Sequence, residues 1–185
     1  MIEGETIEHV DFDKQPFAEE YESCIFKSCS FLETDAGNVK FVECRFQDCD
    51  WSSAKLQGTC FREVQFQNCK MLGLPFEDCN PLLLEFSFAD CVLDYSTFYG
   101  LTIRQTRFIN CSMREVDFGT ADLTGSVFKN TILDQAVFDR TNLEKVDFRE
   151  AIGFRVDPNI NRLKGAHFLK NNLVGLVSHL GIKIS

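Results

Sequence analysis

Apolar residues recur along most of this chain at every fifth position, with polar residues between them. From Phe88 the apolar centres run Leu93, Phe98, Ile103, Phe108, Met113, Phe118, Leu123, Phe128, Leu133, Phe138, Leu143 and Phe148. Two positions before each centre stands a small or apolar residue, as at Cys91, Ser96, Thr106, Cys111, Val116 and Ala121. A longer beat is superposed on the short one. Phe26, Phe46, Phe66, Phe88, Phe108, Phe128, Phe148 and Phe168 follow one another in steps of 20, with a single step of 22. Neither the 3.6-residue period of a helix nor the alternation of a strand produces such an interval. Four units of five make one turn of twenty, which predicts a solenoid with four sides. Its core is a column filled by the centres and by the residues two before them, and the other three of each five face water.

The cysteines repeat the pattern independently. Cys29, Cys49, Cys69, Cys91 and Cys111 step by 20, 20, 22 and 20, and Cys24 and Cys44 take the matching inward site on the neighbouring side. Both residue types place the irregularity in one interval. There Cys79-Asn80-Pro81-Leu82-Leu83-Leu84-Glu85 supplies seven residues where five are expected, predicting a two-residue bulge at a corner. Cys60 is expected to face out, and Cys79 to open the bulge.

Burial of each ladder Phe contributes roughly 1.5–3 kcal/mol. Residues 24–168 form the regular repeat, preceded by an acidic, irregular cap and first coil over 1–23. Gly153 and Pro158 replace apolar centres, so the last coil is expected to be looser. Beyond it, Leu173, Leu176, Val177 and Leu180 follow the i, i+3, i+4, i+7 spacing of an amphipathic helix, and Gly181 suits its end. Residues 169–185 are therefore read as a capping helix and tail. The same four apolar residues are candidates for pairing with a second copy.

Ala121-Asp122-Leu123-Thr124-Gly125 and Thr141-Asn142-Leu143-Glu144-Lys145 resemble the units of the pentapeptide-repeat family, over about Val10 to Phe168. That resemblance implies an all-β, right-handed quadrilateral parallel β-helix. Members of the family bind DNA gyrase and topoisomerase IV, and the chain is similar to the quinolone-resistance (Qnr-type) members in cysteine and Phe usage and in its Leu-rich C-terminal segment. The resemblance implies a DNA-mimicking partner of gyrase that forms a homodimer through its C-terminal element. The chain departs from those members in having only the short Leu82-Leu83-Leu84 bulge and a C-terminal third that is neutral to basic.

The net charge of −9 is unevenly placed. Residues 1–23 carry −7, residues 24–100 carry −5, residues 101–150 carry −1 and residues 151–185 carry +4. Duplex DNA bears one charge per ~1.7 Å of axis, so residues 24–150, at −6, do not imitate it by total charge. Local stripes are the alternative. Glu43, Glu63 and Glu85 fall in line on one side, with Asp48, Asp90 and Glu150 on the next among Asn68, Asn110 and Asn130. The plain reading of these positions is solvated corners, where Asp and Asn side chains satisfy backbone groups. No basic stripe with interleaved aromatics points to direct nucleic-acid binding. There is no run of 18 apolar residues and no basic leader, so a cytosolic protein without membrane spans is expected. Its cysteines are then reduced and structural. No metal or cofactor is expected, because no short-spaced ligand pairs occur. No nucleophile with a neighbouring base suggests an enzyme. A different class remains open beside the topoisomerase reading: an interaction scaffold whose anchors are Leu82, Leu83 and Leu84, extended by Tyr95 and Tyr99.

Overall fold

The five-residue beat does build a four-sided coil. A computed structural model describes residues 1–82 and 84–182. Its strands are short: β1 (Ile2–Glu3), β2 (Thr6–Glu8), β3 (Glu20–Glu22), β4 (Ile25–Lys27), β5 (Lys40–Val42) and β6 (Arg45–Gln47). They continue as β7 (Cys60–Arg62), β8 (Val64–Gln67), β9 (Phe86–Ala89), β10 (Arg107–Ile109) and β11 (Val127–Lys129). All pairings are parallel, in a four-stranded sheet β1-β3-β5-β7 and a seven-stranded sheet β2-β4-β6-β8-β9-β10-β11. The other two sides are held by single parallel bridges, such as Asp50↔Lys70 and Thr97↔Asp117. The protein is a right-handed quadrilateral parallel β-solenoid.

The ladder phenylalanines stack. From Phe26 to Phe168 successive ring centroids lie 4.7–5.4 Å apart, each pair within 18° of parallel. That separation is the inter-strand spacing of a sheet, so stacking the coils also sets the rings at contact distance. Rings on the adjoining sides meet this ladder edge-on, as Phe98 meets Phe108 at 6.0 Å and 80°. Trp51 belongs to a neighbouring ladder, stacked on Phe31 at 4.0 Å. Its indole N–H is buried and has no acceptor among the described residues.

The inward small residues do more than fill space. The hydroxyls of Thr59, Thr131 and Thr141 donate to the carbonyls of Ala36, Phe108 and Phe118, 23 residues earlier, at 2.8–2.9 Å. Cys44, Cys49 and Cys69 direct their thiols at the carbonyls of Tyr21, Phe26 and Phe46, also 23 residues earlier, at 3.4–3.5 Å. Cysteine, serine and threonine are interchangeable here because each is a small group with one donor.

Each corner turns in the left-handed region. Every fifth residue from Ser23 to Gly73, and again from Asp90 to Lys145, has φ between 50° and 73°. That conformation is unfavourable for L-residues with a Cβ and easier for Asn, Asp and Gly. Stacking offsets it: corner amides such as those of Glu43 and Asn110 donate to carbonyls of the next coil, Arg62 O and Lys129 O, both at 2.8 Å.

The corner series lapses between Gly73 and Asp90, where the sequence has its two extra residues. A 3-10 turn occupies Phe76–Asp78. The Asn80 amide still reaches Thr59 O at 2.8 Å, and the Asn80 side chain accepts from the Leu82 amide at 3.0 Å. The chain rejoins the wall at Glu85, whose amide donates to Phe61 O at 2.9 Å. Cys79 is buried here, stacked above Thr59 rather than displaced outward. Phe86, aligned with Val64, puts a large ring in a site that elsewhere holds Cys, Val, Thr or Ser. Among the described residues its side of the rod continues after β7 as bridges, from Thr102↔Asp122 onward.

Pairing begins at Ile2, which aligns with Tyr21, so this coil is in register with a step of 19. At the other end Phe154 and Val156 are buried and occupy the space left by Gly153 and Pro158. The α-helix is a single turn, α1 (Val174–Val177), between 3-10 turns at Lys170–Asn172 and Ser178–Leu180. Gly175 sits so close to Phe154 that a Cβ would lie 2.4 Å from its ring, and Gly175 O accepts from the Val156 amide at 3.0 Å.

The corners generate a prediction. Gln135 is exposed at φ 59°. Gln135→Gly should raise stability by roughly 0.5–1 kcal/mol, whereas β-branched Gln135→Val should lower it by about 1 kcal/mol or more. Urea unfolding followed by the fluorescence of Trp51 measures both.

Candidate partner-binding surface

Part of the outer wall is paired in charge from coil to coil. Lys40 pairs with Glu20 at 3.6 Å, Lys70 with Asp50 at 3.4 Å and Arg114 with Asp134 at 3.7 Å, each twenty residues apart. Arg104 binds Asp122 at 2.7 Å and Arg162 binds Glu144 at 3.2 Å. Within one coil, Arg149 lies 2.7 Å from Asp147, and its hydrogen bond holds that carboxyl below the ordinary 3.8. These pairs are exposed and each contributes little.

Two of the predicted acidic rows depart from this wall in different ways. Glu43 and Glu63 occupy successive left-handed corners, and Glu85 aligns with Glu63 through the β8–β9 register. Their backbone positions are therefore ~4.8 Å apart along one edge. Among the described residues none of the three has an ion pair within 4 Å; Glu43 only accepts from the Ser23 hydroxyl at 3.4 Å. An open groove runs beside them, lined by Glu43, Glu63, Leu84, Glu85, Arg104 and Arg107. The row ends there, since the next corners in line are Gln105, Gly125 and Lys145.

On the adjacent edge Asp48 and Asp90 are committed to a ladder of side-chain hydrogen bonds. Asn68 donates to Asp48, Asn110 donates to Asp90 at 2.9 Å, and Asn130 donates to Asn110 at 3.2 Å. This second row is a structural seam. In the sequence the amide residues read as solvated corners whose side chains satisfy backbone groups, whereas the coil spacing joins them side chain to side chain.

The apolar candidates separate. Leu82 is 74% exposed, Leu84 is half-buried against the core, and Leu83 lies outside the described residues. Tyr95 and Tyr99 are exposed, at 60% and 51%, and the Tyr99 ring lies over Gly119, where a Cβ would approach it to 3.0 Å. At the C-terminal end the expected single stripe is not realised, because α1 is only four residues long. Leu176 and Val177 are half-buried, while Leu173 and Leu180 face solvent together with Leu169, Val174 and Ile182.

Thiol neighbours in the buried ladder hold two cysteines below the ordinary thiol value, Cys49 through Cys29 and Cys69, and Cys91 through Cys111 and Cys69; both are closed off from solvent. Burial pushes Cys44 up to about 12 and raises Cys79 further above the ordinary thiol value. Burial also raises half-exposed Cys60, against the opposing charges of Arg62 and Lys40. Such thiols are poor nucleophiles at neutral pH. Among the described residues no three His, Cys, Asp or Glu side chains converge as a metal site, and no helix is long and apolar enough to cross a membrane.

The two acidic rows should respond oppositely to neutralisation. Glu63→Gln relieves repulsion between stacked glutamates and should leave stability unchanged or raise it by up to about 0.5 kcal/mol. Asp90→Ala removes the acceptor of Asn110 and should lower stability by roughly 0.5–1.5 kcal/mol. Urea midpoints of the two variants at pH 7 test the distinction.

Comparison with known proteins agrees with this architecture. A family model described as pentapeptide repeat region matches residues 19–98 and 59–138. No relative is found among curated proteins. Among solved structures the chain is similar to a trypsin-treated form of QnrB1, a plasmid-mediated fluoroquinolone resistance protein, with 16% identity and a TM-score of 0.65, covering 100% of this chain and 97% of that one. It is also similar to HetL, a pentapeptide repeat protein involved in heterocyst differentiation regulation from the cyanobacterium Nostoc, with 14% identity and a TM-score of 0.66, covering 89% of this chain and 84% of that one. At these identities the likeness is one of fold. With more than half of its length matched by the family model, and with stacked five-residue units throughout its column, the chain belongs to the pentapeptide-repeat family.

Proposed function

We propose that this protein is a non-enzymatic cytosolic binding rod that engages DNA gyrase or topoisomerase IV and protects it against quinolones. The observation that carries the reading is the row Glu43, Glu63 and Glu85: three carboxylates in line on successive coils, none with an ion pair among the described residues. Their regular spacing offers a partner's DNA-binding surface a short run of negative charge. The mimicry is local, because the rod as a whole lacks the charge density of a duplex. Such a row would steer association more than supply affinity. The fold likeness to QnrB1 supports the choice of partner class. Exposed Leu173, Val174, Leu180 and Ile182 support a homodimer joined at the C-terminal end.

A second reading has its own observation. Leu82, at 74% exposure, projects from the bulge that interrupts the wall between Gly73 and Asp90. An apolar anchor of this kind suits a scaffold for a partner other than a topoisomerase, with the exposed rings of Tyr95 and Tyr99 as candidate extensions.

DNA supercoiling by purified gyrase from the same organism, with a quinolone present and this protein titrated in, separates the two. Restored supercoiling that is lost when Glu43, Glu63 and Glu85 are changed to Lys is the expected result. Absence of both protection and gyrase binding would remove the topoisomerase reading and leave the Leu82 surface.

A further inference from the structure

Five free thiols stand one above another inside the column. Cys29, Cys49, Cys69, Cys91 and Cys111 are each at most 2% exposed. Each follows a ladder phenylalanine by three residues, and those rings, from Phe26 to Phe108, lie 4.7–5.4 Å apart from coil to coil. The five sites share one environment, so their sulfurs repeat at the coil spacing too, about 4.8 Å. Cys24 and Cys44 make one further pair on the neighbouring side, both bonded to the carbonyls of the preceding coil. Packing alone does not call for cysteine here, since Thr131 and Ala151 fill the next two sites of the same ladder and are also buried.

That spacing fits a coordination bond on each side of an ion. A thiol points into the column, across its axis, while the next sulfur lies along the axis. An ion on the line between two sulfurs therefore meets lone pairs of both rather than their carbon bonds. It stands about 2.4 Å from each, against about 2.3 Å for a zinc–thiolate bond. Zinc itself takes four ligands, and among the described residues no three His, Cys, Asp or Glu side chains converge. Of the metals that thiolates select, Cu(I) is satisfied by two. Backbone amides support the charge left on sulfur. The Thr106 amide donates to the Ser126 hydroxyl at 3.1 Å and the Cys111 amide to the Thr131 hydroxyl at 3.4 Å, and the amides of Cys29 and Cys69 hold the same relation to Cys49 and Cys91. The thiol hydrogens that an ion displaces are weak donors, to carbonyls at 3.2–3.5 Å. The ladder lies one residue in from the exposed corners Asp48, Asn68, Asp90 and Asn110, so a local parting of two coils along that edge admits an ion.

We infer that the cysteine ladder is a binding site for Cu(I), each ion held in linear coordination by two cysteines of successive coils. Binding replaces two S–H bonds by two Cu–S bonds and releases two protons, so affinity rises with pH. The bis-thiolate keeps one negative charge, which faces the backbone amides. Five thiols in line provide two such pairs, and Cys24 with Cys44 provides a third. The inference is independent of the gyrase reading, which uses the outer face.

Anaerobic titration of the full chain with Cu(I), in competition with a chromophoric Cu(I) chelator, tests it together with X-ray absorption at the copper edge. About three ions per chain are expected, each with two sulfur neighbours. Cys49→Ser with Cys91→Ser leaves Cys29, Cys69 and Cys111 two coils apart and should lower the count to one. Cys29→Ser with Cys111→Ser removes as many thiols but keeps Cys49, Cys69 and Cys91 on successive coils, and should lower it only to two. Serine is buried at the matching inward positions 96 and 126, so both variants should fold. The fluorescence of Trp51 in urea checks this, and Cu(I) should raise the urea midpoint of the parent chain. Equal counts in the two variants overturn the stacked-pair site, since thiols then bind singly. Three or more sulfur neighbours, any nitrogen neighbour, or loss of cooperative unfolding on loading overturn it as well. Refolding from urea with Cu(I) present removes any barrier to entry, and absence of binding there overturns the proposal outright.

Discussion

The structure depends on a twenty-residue register in which every apolar centre lies on the centre of the coil before it. Two interactions enforce that register together. Aromatic rings stack at the spacing of hydrogen-bonded strands, and small inward donors reach the carbonyl of the preceding centre. The sequence separation of this second bond follows each departure from the beat. It is 23 across regular coils, 22 for Cys24 and Cys29 where a unit has four residues, and 25 for Ser96 across the bulge. The bond is thus kept while the loop length changes around it. Left-handed corners, unfavourable one by one for most residues, are tolerated because each is locked between two such rungs.

Much of this was legible in the sequence for one reason: a solenoid repeats the same environment, so each position is read many times over. Phe and Cys located the inserted residues because both ladders skipped at the same place. Where an environment occurs once, the reading weakened. Cys79 was placed at the opening of a bulge, yet it stays inside because Asn80 still bonds to the preceding coil and the departure starts only after it. Phe154 and Val156 replace the missing centres from off-register positions that no periodicity marks. Asn161 is buried and polar in a site that elsewhere takes Thr or an apolar residue, satisfied by the Thr141 amide and by Phe138 O and Asp157 O. The C-terminal helical spacing was genuine as a pattern, but Gly175 packs where a longer helix would need a side chain, and the segment breaks into three short turns.

For the surface, the coil spacing distinguishes rows that look alike in the sequence. Two lines of acids on neighbouring edges differ in what stands one coil away. Asparagine makes one line a hydrogen-bonded seam, whereas a second and third glutamate leave the other line with its charge uncompensated by ion pairs among the described residues. Residues 1–23 carry −7 and residues 151–185 carry +4, while inter-coil pairs offset individual acids in the stretch between, which still bears −6. Binding surfaces on such a rod are set by which rows lack a partner one coil away.

Removal of one whole coil tests the register directly. Deletion of residues 109–128 joins Phe108 to Lys129 and preserves every stacking relation, whereas deletion of 109–126 removes two residues fewer and shifts each later centre. If rungs of equal register hold the column, the first variant unfolds cooperatively in urea with a reduced denaturant dependence, in keeping with its smaller buried surface, and the second loses cooperative unfolding beyond the junction. Equal stability of the two, or failure of the twenty-residue deletion to fold, would contradict a column built from stacked, equivalent coils.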